Sequence, residues 1–233
     1  MSRGKPRHLS DNEPQSHTTH NAAAILTAIG KDKDVPLYRG ASKALERPPA
    51  HAPEVHGESG LEGTYLLPKP KCQAREGDAV EAMFNALMAE PKETAWLIAT
   101  GSLTNVALLL QKHPEVTAHL KGISIMGGAF GGGFSDARLH VVDGKERVGN
   151  IGHWGEFNIL IDPEAATEVF HNKEVAKKTT LVPLDLSHQV LATQAVRKLI
   201  LHGPDGDGSQ SEGKSTLRTM LVELLNFACG TYT

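Results

Sequence analysis

Cysteine is rare in this chain, and long apolar runs are absent. Two cysteines among 233 residues, Cys72 and Cys229, cannot form a disulfide framework and lie too far apart for a zinc knuckle. No apolar run is long enough to cross a bilayer. The polar beginning, residues 1–6, lacks the apolar core of a secretory signal. We therefore expect a cytoplasmic protein without a membrane partner.

Charge of one sign is also lacking. The 24 Lys and Arg residues nearly balance the 27 Asp and Glu residues, which gives a net charge of -3, and neither sign runs in long blocks. A nucleic-acid-binding or membrane-surface protein normally carries a concentrated basic patch. The balance therefore argues against both classes of partner.

The alternation of helix and strand patterns predicts an α/β fold, as a single domain over residues 17–233. Residues 1–16 are polar and carry two prolines, so we expect a disordered segment there. The pattern predicts helices over 19–29, 78–89, 104–110, 163–170, 192–201 and 217–227, and buried strands over 96–100, 122–126 and 180–184. Apolar strands separated by helices are typical of a mostly parallel sheet covered on both faces.

Three further segments are less regular. Residues 35–38 are a candidate short strand, whereas residues 159–161 are apolar and fit either a short strand or the inner wall of a loop. The segment 40–70 is polar and rich in proline. A loop of that length inside a compact domain is unusual unless it works as a lid or a binding loop.

Hydrogen-bonding side chains are concentrated in the segment 149–158, which contains Asn150, Glu156 and Asn158. Amide and carboxylate groups at the end of a buried element suit a ligand crowded with hydroxyls, because each hydroxyl both donates and accepts. A ribose is such a ligand. The alternative is that Asn150 caps a turn and Glu156 is a solvated loop acid.

The connectivity predicts where these groups lie. In parallel α/β sheets, ligands bind beyond the carboxyl ends of the strands, and residues 101–105, residues 127–129 and Asp185 each follow a predicted strand. If 156–158 is extended, the side chains of Glu156 and Asn158 point the same way. We expect both to lie near the 127–128 turn.

The neighbours of this segment have separate expectations. Asn150 should reach the same pocket from the start of its loop, beside Thr104. Asp162 precedes Pro163 and should start a helix. His153 should point into solvent.

Four segments occur in a characteristic order: Thr19-His-Asn-Ala, His56-Gly-Glu-Ser-Gly-Leu, Ala99-Thr-Gly-Ser-Leu-Thr-Asn105, and Ile125-Met-Gly-Gly-Ala129 continued by Gly149-Asn150 and Glu156-Phe-Asn158. Each is weak alone, but four in order are a strong signal. Together they resemble the nucleoside hydrolase family, the inosine/uridine-preferring and fungal type in particular. Members cleave the N-glycosidic bond of purine or pyrimidine ribonucleosides to base and ribose, on an open Rossmann-like sheet.

The resemblance implies roles for individual residues. Asn150, Glu156 and Asn158 correspond to ligands of the ribose hydroxyls. His56 lies in a loop that closes over the nucleoside, and the backbone carbonyl of Thr104 corresponds to a ligand of a calcium ion. In the family, calcium takes oxygen ligands and activates a water molecule, with an aspartate as the base, for attack on an oxocarbenium-like sugar. The implied partner is the nucleoside, and a homo-oligomer stays open.

Two motifs of the family have no counterpart in this sequence. The Asp-x-Asp-x-Gly-x-Asp-Asp motif, which ends the first strand and supplies metal ligands and the catalytic base, is missing, and so is a later His-Asp-Pro segment. We therefore predict no catalytic base. We also expect a domain truncated at both ends, with its first strand missing, bare apolar sheet edges and poor binding of calcium.

Two interpretations of the function follow. The first is a nucleoside N-ribohydrolase by descent. The second is a catalytically inactive fragment or pseudoenzyme that retains only a ribose-binding half-site.

Overall fold

The computed structural model describes residues 14–48, 57–131, 140–142, 144–151, 153–204 and 215–231. The helices in these ranges are α1 (Pro14–Ala28), α2 (Ala79–Met88), α3 (Thr104–Lys112), α4 (Val116–His119), α5 (Phe157–Leu160), α6 (Pro163–His171), α7 (Lys173–Lys177), α8 (Leu184–Ser187), α9 (Gln194–His202) and α10 (Thr216–Thr231). The strands are β1 (Trp96–Ala99), β2 (Gly122–Met126), β3 (His140–Val142), β4 (Lys145–Arg147) and β5 (Thr179–Val182). Among the described helices, none is long and apolar enough to cross a bilayer.

The main sheet is parallel, with the strand order β1-β2-β5. Ala99 pairs in register with Ile125, and Ile125 with Leu181. Parallel neighbours require crossover connections, which α3 and α4 provide between β1 and β2, and which α5 to α7 provide between β2 and β5. Strands β3 and β4 form a separate antiparallel hairpin, which the sequence patterns did not predict. The predicted α/β class with a parallel, helix-flanked sheet is confirmed.

The hydrophobic core lies on one face of this sheet, under α2, α3, α6 and α7. Leu97 and Ala99 of β1 point into it, together with Ile123 and Ile125 of β2. Side chains alternate between faces along a strand, so Trp96 and Ile98 share the opposite face, where they are 46% and 69% exposed. The prediction of a sheet covered on both faces is therefore wrong for β1 within the described ranges.

Two of the less regular segments differ from their predicted conformations. Residues 35–38 are not a strand: only Tyr38 pairs, through an isolated parallel bridge to Arg75. Pro36 in this segment has no N–H for a sheet ladder. The segment 159–161 is neither strand nor loop wall, because residues 157–160 form the helix α5.

The beginning of the chain is more ordered than expected over three residues. Helix α1 starts at Pro14, inside the segment 1–16 for which we predicted disorder, and proline is well suited to a first helical turn. Residues 1–13 lie outside the described ranges.

Candidate functional site

The loop after β2 is the floor of the candidate site. It leaves the sheet through Gly127, whose N–H donates to the carbonyl of Val182 at 3.1 Å, and the carbonyl of Gly128 accepts from Leu184 N–H at 2.9 Å. Gly128 has a φ of 79°, in the left-handed region where glycine has no Cβ penalty. The loop therefore follows the end of β5 closely and lies at the carboxyl ends of the strands.

Glu156 holds this loop against helix α5. Its carboxylate is the N-cap of α5 and accepts from the N–H groups of Asn158 at 3.0 Å and Ile159 at 3.1 Å. The bond from Asn158 is to Oε1 and the bond from Ile159 is to Oε2, which also accepts from Gly128 N–H at 2.9 Å. Glu156 is only 4% exposed. The alternative of a solvated loop acid is therefore wrong.

Asn158 reaches across the ends of two neighbouring strands. Its Nδ2 donates to the carbonyl oxygen of Met126, at the end of β2, at 3.1 Å, and approaches that of Thr100, just after β1, at 3.5 Å. The expected extended conformation of 156–158 is wrong, because Asn158 lies in the helical turn that Glu156 caps. Both side chains nevertheless contact the end of β2 or the glycine loop that follows it.

Asn150 joins the start of its loop to the same helix. Its Oδ1 accepts from Phe157 N–H at 2.9 Å, so the alternative in which Asn150 caps a local turn agrees with the structure. A two-bond bridge between Ile151 and Gly155 closes the loop between them, at 2.9 and 3.1 Å. Any Cβ at Gly149 would collide with the backbone of Gly155, so the close approach requires glycine.

Each of the three side chains keeps hydrogen-bonding capacity for a ligand. Among the described residues, neither Asn150 Nδ2 nor Asn158 Oδ1 has a hydrogen-bond partner. The Glu156 carboxylate accepts three N–H groups, whereas a carboxylate offers about four acceptor positions. The groups that stay available for a ligand are therefore one amide donor, on Asn150, and two acceptors, on Glu156 and Asn158.

Comparison with known proteins shows the family of this chain. Residues 10–233 match the family described as inosine-uridine preferring nucleoside hydrolase. The chain belongs to this family. It is 36% identical over 223 residues to the uridine nucleosidase of Saccharomyces cerevisiae, covering 95% of this chain and 59% of that one. It is 35% identical over 219 residues to the pyrimidine-specific ribonucleoside hydrolase RihA of Citrobacter koseri, covering 93% and 59%.

Solved structures share the fold of this chain. The purine-preferring ribonucleoside hydrolase from Gardnerella vaginalis superposes with a TM-score of 0.71 at 25% identity, covering 93% of this chain and 60% of that one. An inosine-guanosine nucleoside hydrolase, at 23% identity and a TM-score of 0.71, shares the fold. The chain spans about three fifths of the length of the curated relatives it matches.

The calcium site that the family resemblance implies does not fit the described residues. Thr104 is the first residue of α3, and in a helix that carbonyl accepts an N–H from four residues later and points along the helix axis, away from the N-terminal end. The role of the Thr104 carbonyl as a calcium ligand stays a prediction. In the part of the chain that the structure describes, no group of three or more His, Cys, Asp or Glu side chains could hold a metal ion.

Thr104 instead takes part in a buried contact with Asp162. Its Oγ1 donates to Asp162 Oδ2 at 2.5 Å, and the same oxygen accepts from Leu45 N–H at 3.0 Å. Asp162 Oδ1 caps α6 by accepting from Ala165 N–H at 3.0 Å. The predicted helix start at Asp162 agrees with the structure, and the contacts to α3 and to the 41–48 segment are an addition that the sequence did not indicate.

Of the two histidines with predicted positions, the structure describes His153 but not His56. His153 is half-buried rather than in solvent, with its ring edge-on to Trp154 at 4.4 Å between centroids. Its carbonyl accepts from the N–H groups of Val148 and Gly149 at 3.0 Å each. His56 lies outside the described residues, so its place over the nucleoside stays a prediction.

The residue that sequence reasoning undervalued is Asp185. It is 2% exposed, and its two carboxylate oxygens accept from Phe130 N–H at 2.8 Å and Gly131 N–H at 3.0 Å. The signal in the sequence was its place directly after a predicted strand, where ligand-binding residues of parallel sheets lie.

Proposed function

We propose that this chain binds the ribose of a purine or pyrimidine nucleoside, with Asn150, Glu156 and Asn158 as ligands of the sugar hydroxyls. The observation that carries the proposal is the placement of Asn158. Its Nδ2 is held by the carbonyl at the end of β2, which leaves Oδ1 as an acceptor beside the strand ends. Glu156 and Asn150 are fixed within the same turn by their bonds to the backbone of α5.

The reaction proposed for the whole protein is hydrolysis of the N-glycosidic bond to base and ribose. The relatives are named for uridine, pyrimidine ribonucleosides and purine ribonucleosides, which together define the substrate class. As the bond breaks, the sugar gains oxocarbenium character. A carboxylate fixed before the reaction, as Glu156 is, favours that developing positive charge. His56 is proposed to lie over the bound nucleoside.

Metal-assisted activation of water is not part of the role proposed for the described residues. Calcium requires about six to eight oxygen ligands, several of them carboxylates, and no suitable group of three acidic or other ligating side chains exists in the described ranges. A second candidate is that the chain taken alone is a nucleoside-binding domain without useful hydrolytic activity. Both candidates require the same ribose site.

Titration with ribose and uridine tests the proposal directly. We expect ribose and uridine to shift the backbone amide resonances of Asn150 and Asn158 in the ¹⁵N-labelled protein, and Asn150→Ala or Asn158→Ala to weaken this binding by about tenfold or more.

Asn172→Ala is the matched control. Asn172 also caps a helix through its Oδ1, at Glu174 N–H and Val175 N–H, but that helix is α7. The variant Asn172→Ala should therefore leave the ribose affinity unchanged. Binding that survives both site substitutions, or an absence of ribose and uridine binding by the unaltered chain at millimolar concentrations, would contradict the proposal.

A further inference from the structure

Two buried carboxylates hold the glycine loop after β2 from its two ends. Glu156 accepts from the N–H of Gly128 at 2.9 Å. Asp185 accepts from Phe130 N–H at 2.8 Å and Gly131 N–H at 3.0 Å. Only Ala129 separates the parts of the loop that contact the two acids. Because hydrogen bonds to charged groups are stronger than neutral ones, the two acids fix the loop backbone together.

Asp185 contacts the loop backbone through both oxygens of its carboxylate. Its carboxylate lies on backbone N–H groups of the loop, and it is 2% exposed. It belongs to α8, which begins immediately after β5 and Pro183. The neighbouring Leu184 N–H donates to the Gly128 carbonyl at 2.9 Å. The start of α8 therefore contacts the loop at both Gly128 and residues 130–131.

The loop has little stiffness of its own. Gly128 and Gly131 have φ values of 79° and 72°, and glycine has the largest conformational freedom of any residue. Contacts from outside the loop are therefore needed to keep the Gly128 N–H within hydrogen-bonding distance of Glu156. A Cβ at Gly131 would collide with Val148, so this end of the loop also packs directly against the residues before Asn150.

We propose that Asp185 is a positioning residue of the ribose site, an inference that rests on the proposed function. By holding Phe130 and Gly131, it keeps the Gly128 N–H on Glu156 Oε2 and leaves Glu156 Oε1 oriented toward the sugar. Removing the Asp185 carboxylate releases the loop, so Glu156 loses one of its three N–H donors and the site loses its fixed geometry. Ribose binding then weakens even though no ligand of the ribose has changed.

The experiment compares Asp185→Asn and Asp185→Ala with Asp162→Asn, all in the full chain labelled with ¹⁵N-glycine. Asp162 is a suitable control because it is also a buried aspartate that caps a helix and accepts backbone N–H groups, but it contacts Leu45, Thr104 and Ala165 rather than the loop. The readouts are ribose affinity and the amide resonance of Gly128, which does not itself bind Asp185. A role confined to the fold of α8 would not lower the ribose affinity together with a shift of that resonance.

We expect Asp185→Asn to weaken ribose binding by about tenfold and to move the resonances of both Gly131 and Gly128. Asp162→Asn should move neither and should leave the affinity of the folded fraction unchanged. If Asp185→Ala does not fold, Asp185→Asn, which retains the side-chain volume, carries the test. An unchanged Gly128 resonance together with unchanged ribose affinity overturns the inference.

Failure of the proposed function has a different signature. In that case the unaltered chain binds no ribose, and the Gly128 resonance alone decides the role of Asp185. A shift of Gly128 in Asp185→Asn then upholds the positioning of the loop, and no shift overturns it.

Discussion

Asn158 donates its side-chain amide to the carbonyl oxygen of Met126, 3.1 Å away, and thereby joins a single helical turn to the end of the central strand. We expect Asn158→Asp to lower the free energy of unfolding by about 1–3 kcal/mol, because an acceptor replaces the donor that faces this carbonyl. Urea denaturation measures the change. Asn172→Asp is the control, since aspartate is an equally good N-cap, and equal losses in the two variants would contradict the expectation.

The contact between Thr104 and Asp162 predicts coupled effects on stability. Thr104→Val removes the hydroxyl that donates to Asp162 and should lower the free energy of unfolding by about 1–2 kcal/mol. Asp162→Ala leaves several buried donors unpaired and should lower it by about 3 kcal/mol or more. Because both substitutions remove the same bond, the double variant should lose less than the sum. Strict additivity in a double-mutant cycle measured by denaturation would show that the bond contributes nothing.

Acid sensitivity is predicted at the start of α2. Lys112 Nζ lies 2.9 Å from Asp78 and 2.8 Å from Glu81, and its hydrogen bonds lower the pKa of both carboxyls. A lowered pKa in the folded chain gives stability that is fully present above the unfolded pKa of about 4 and is lost as the pH falls through the folded values. The free energy of unfolding, measured at several pH values between about 6 and 3, should therefore fall less steeply with decreasing pH for Lys112→Met than for the unaltered chain. Lys121→Met should leave the slope unchanged.

The open face of β1 predicts self-association. Ile98 is 69% exposed, so Ile98→Lys removes little buried apolar area and should change the free energy of unfolding by less than about 1 kcal/mol. The same substitution should reduce aggregation, which dynamic light scattering measures. Ile125 is fully buried in β2. Ile125→Ala should instead cost about 2–5 kcal/mol and leave the scattering of the folded protein unimproved. A monodisperse, unaltered chain at high concentration would contradict this account of the exposed face.

Catalysis by this chain alone should be very slow. The described residues contain no cluster suited to calcium, and the Thr104 carbonyl is directed along α3. Incubation with uridine or inosine and added calcium, followed by a reducing-sugar assay for released ribose, should therefore give a rate near the uncatalysed one. Release at an ordinary enzymatic rate, dependent on calcium and abolished by Asn158→Ala, would contradict this prediction.

The sequence predicted best those elements that neighbouring residues determine. The strands β1, β2 and β5 were predicted from short apolar runs between helical patterns, although only β2 is mostly buried. The helix start at Asp162 followed from the proline after it. Both features depend on residues that are adjacent in sequence.

Other parts of the site depend on contacts between residues that are far apart in the sequence, and these could not be predicted. The helical turn 157–160 is too short for a periodic signal, and it forms because Glu156 caps it. Glu156 itself is buried because Gly128, 28 residues earlier, donates to it. The contact of Asp185 with residues 130–131 crosses more than 50 positions, and no pattern of spacing predicts such a pair.

The close approach of Gly149 to Gly155 has a consequence for the energetics of recognition. It closes the loop before any ligand arrives, and each of Asn150, Glu156 and Asn158 already has part of its side chain bonded to backbone groups. Their rotamers are thus ordered during folding rather than during association, when fixing each side chain would cost about 0.5–1.5 kcal/mol. On the proposed function, a sugar would meet side chains that the fold has already fixed, so we expect selectivity among pentoses to rest on the stereochemistry of the hydroxyls.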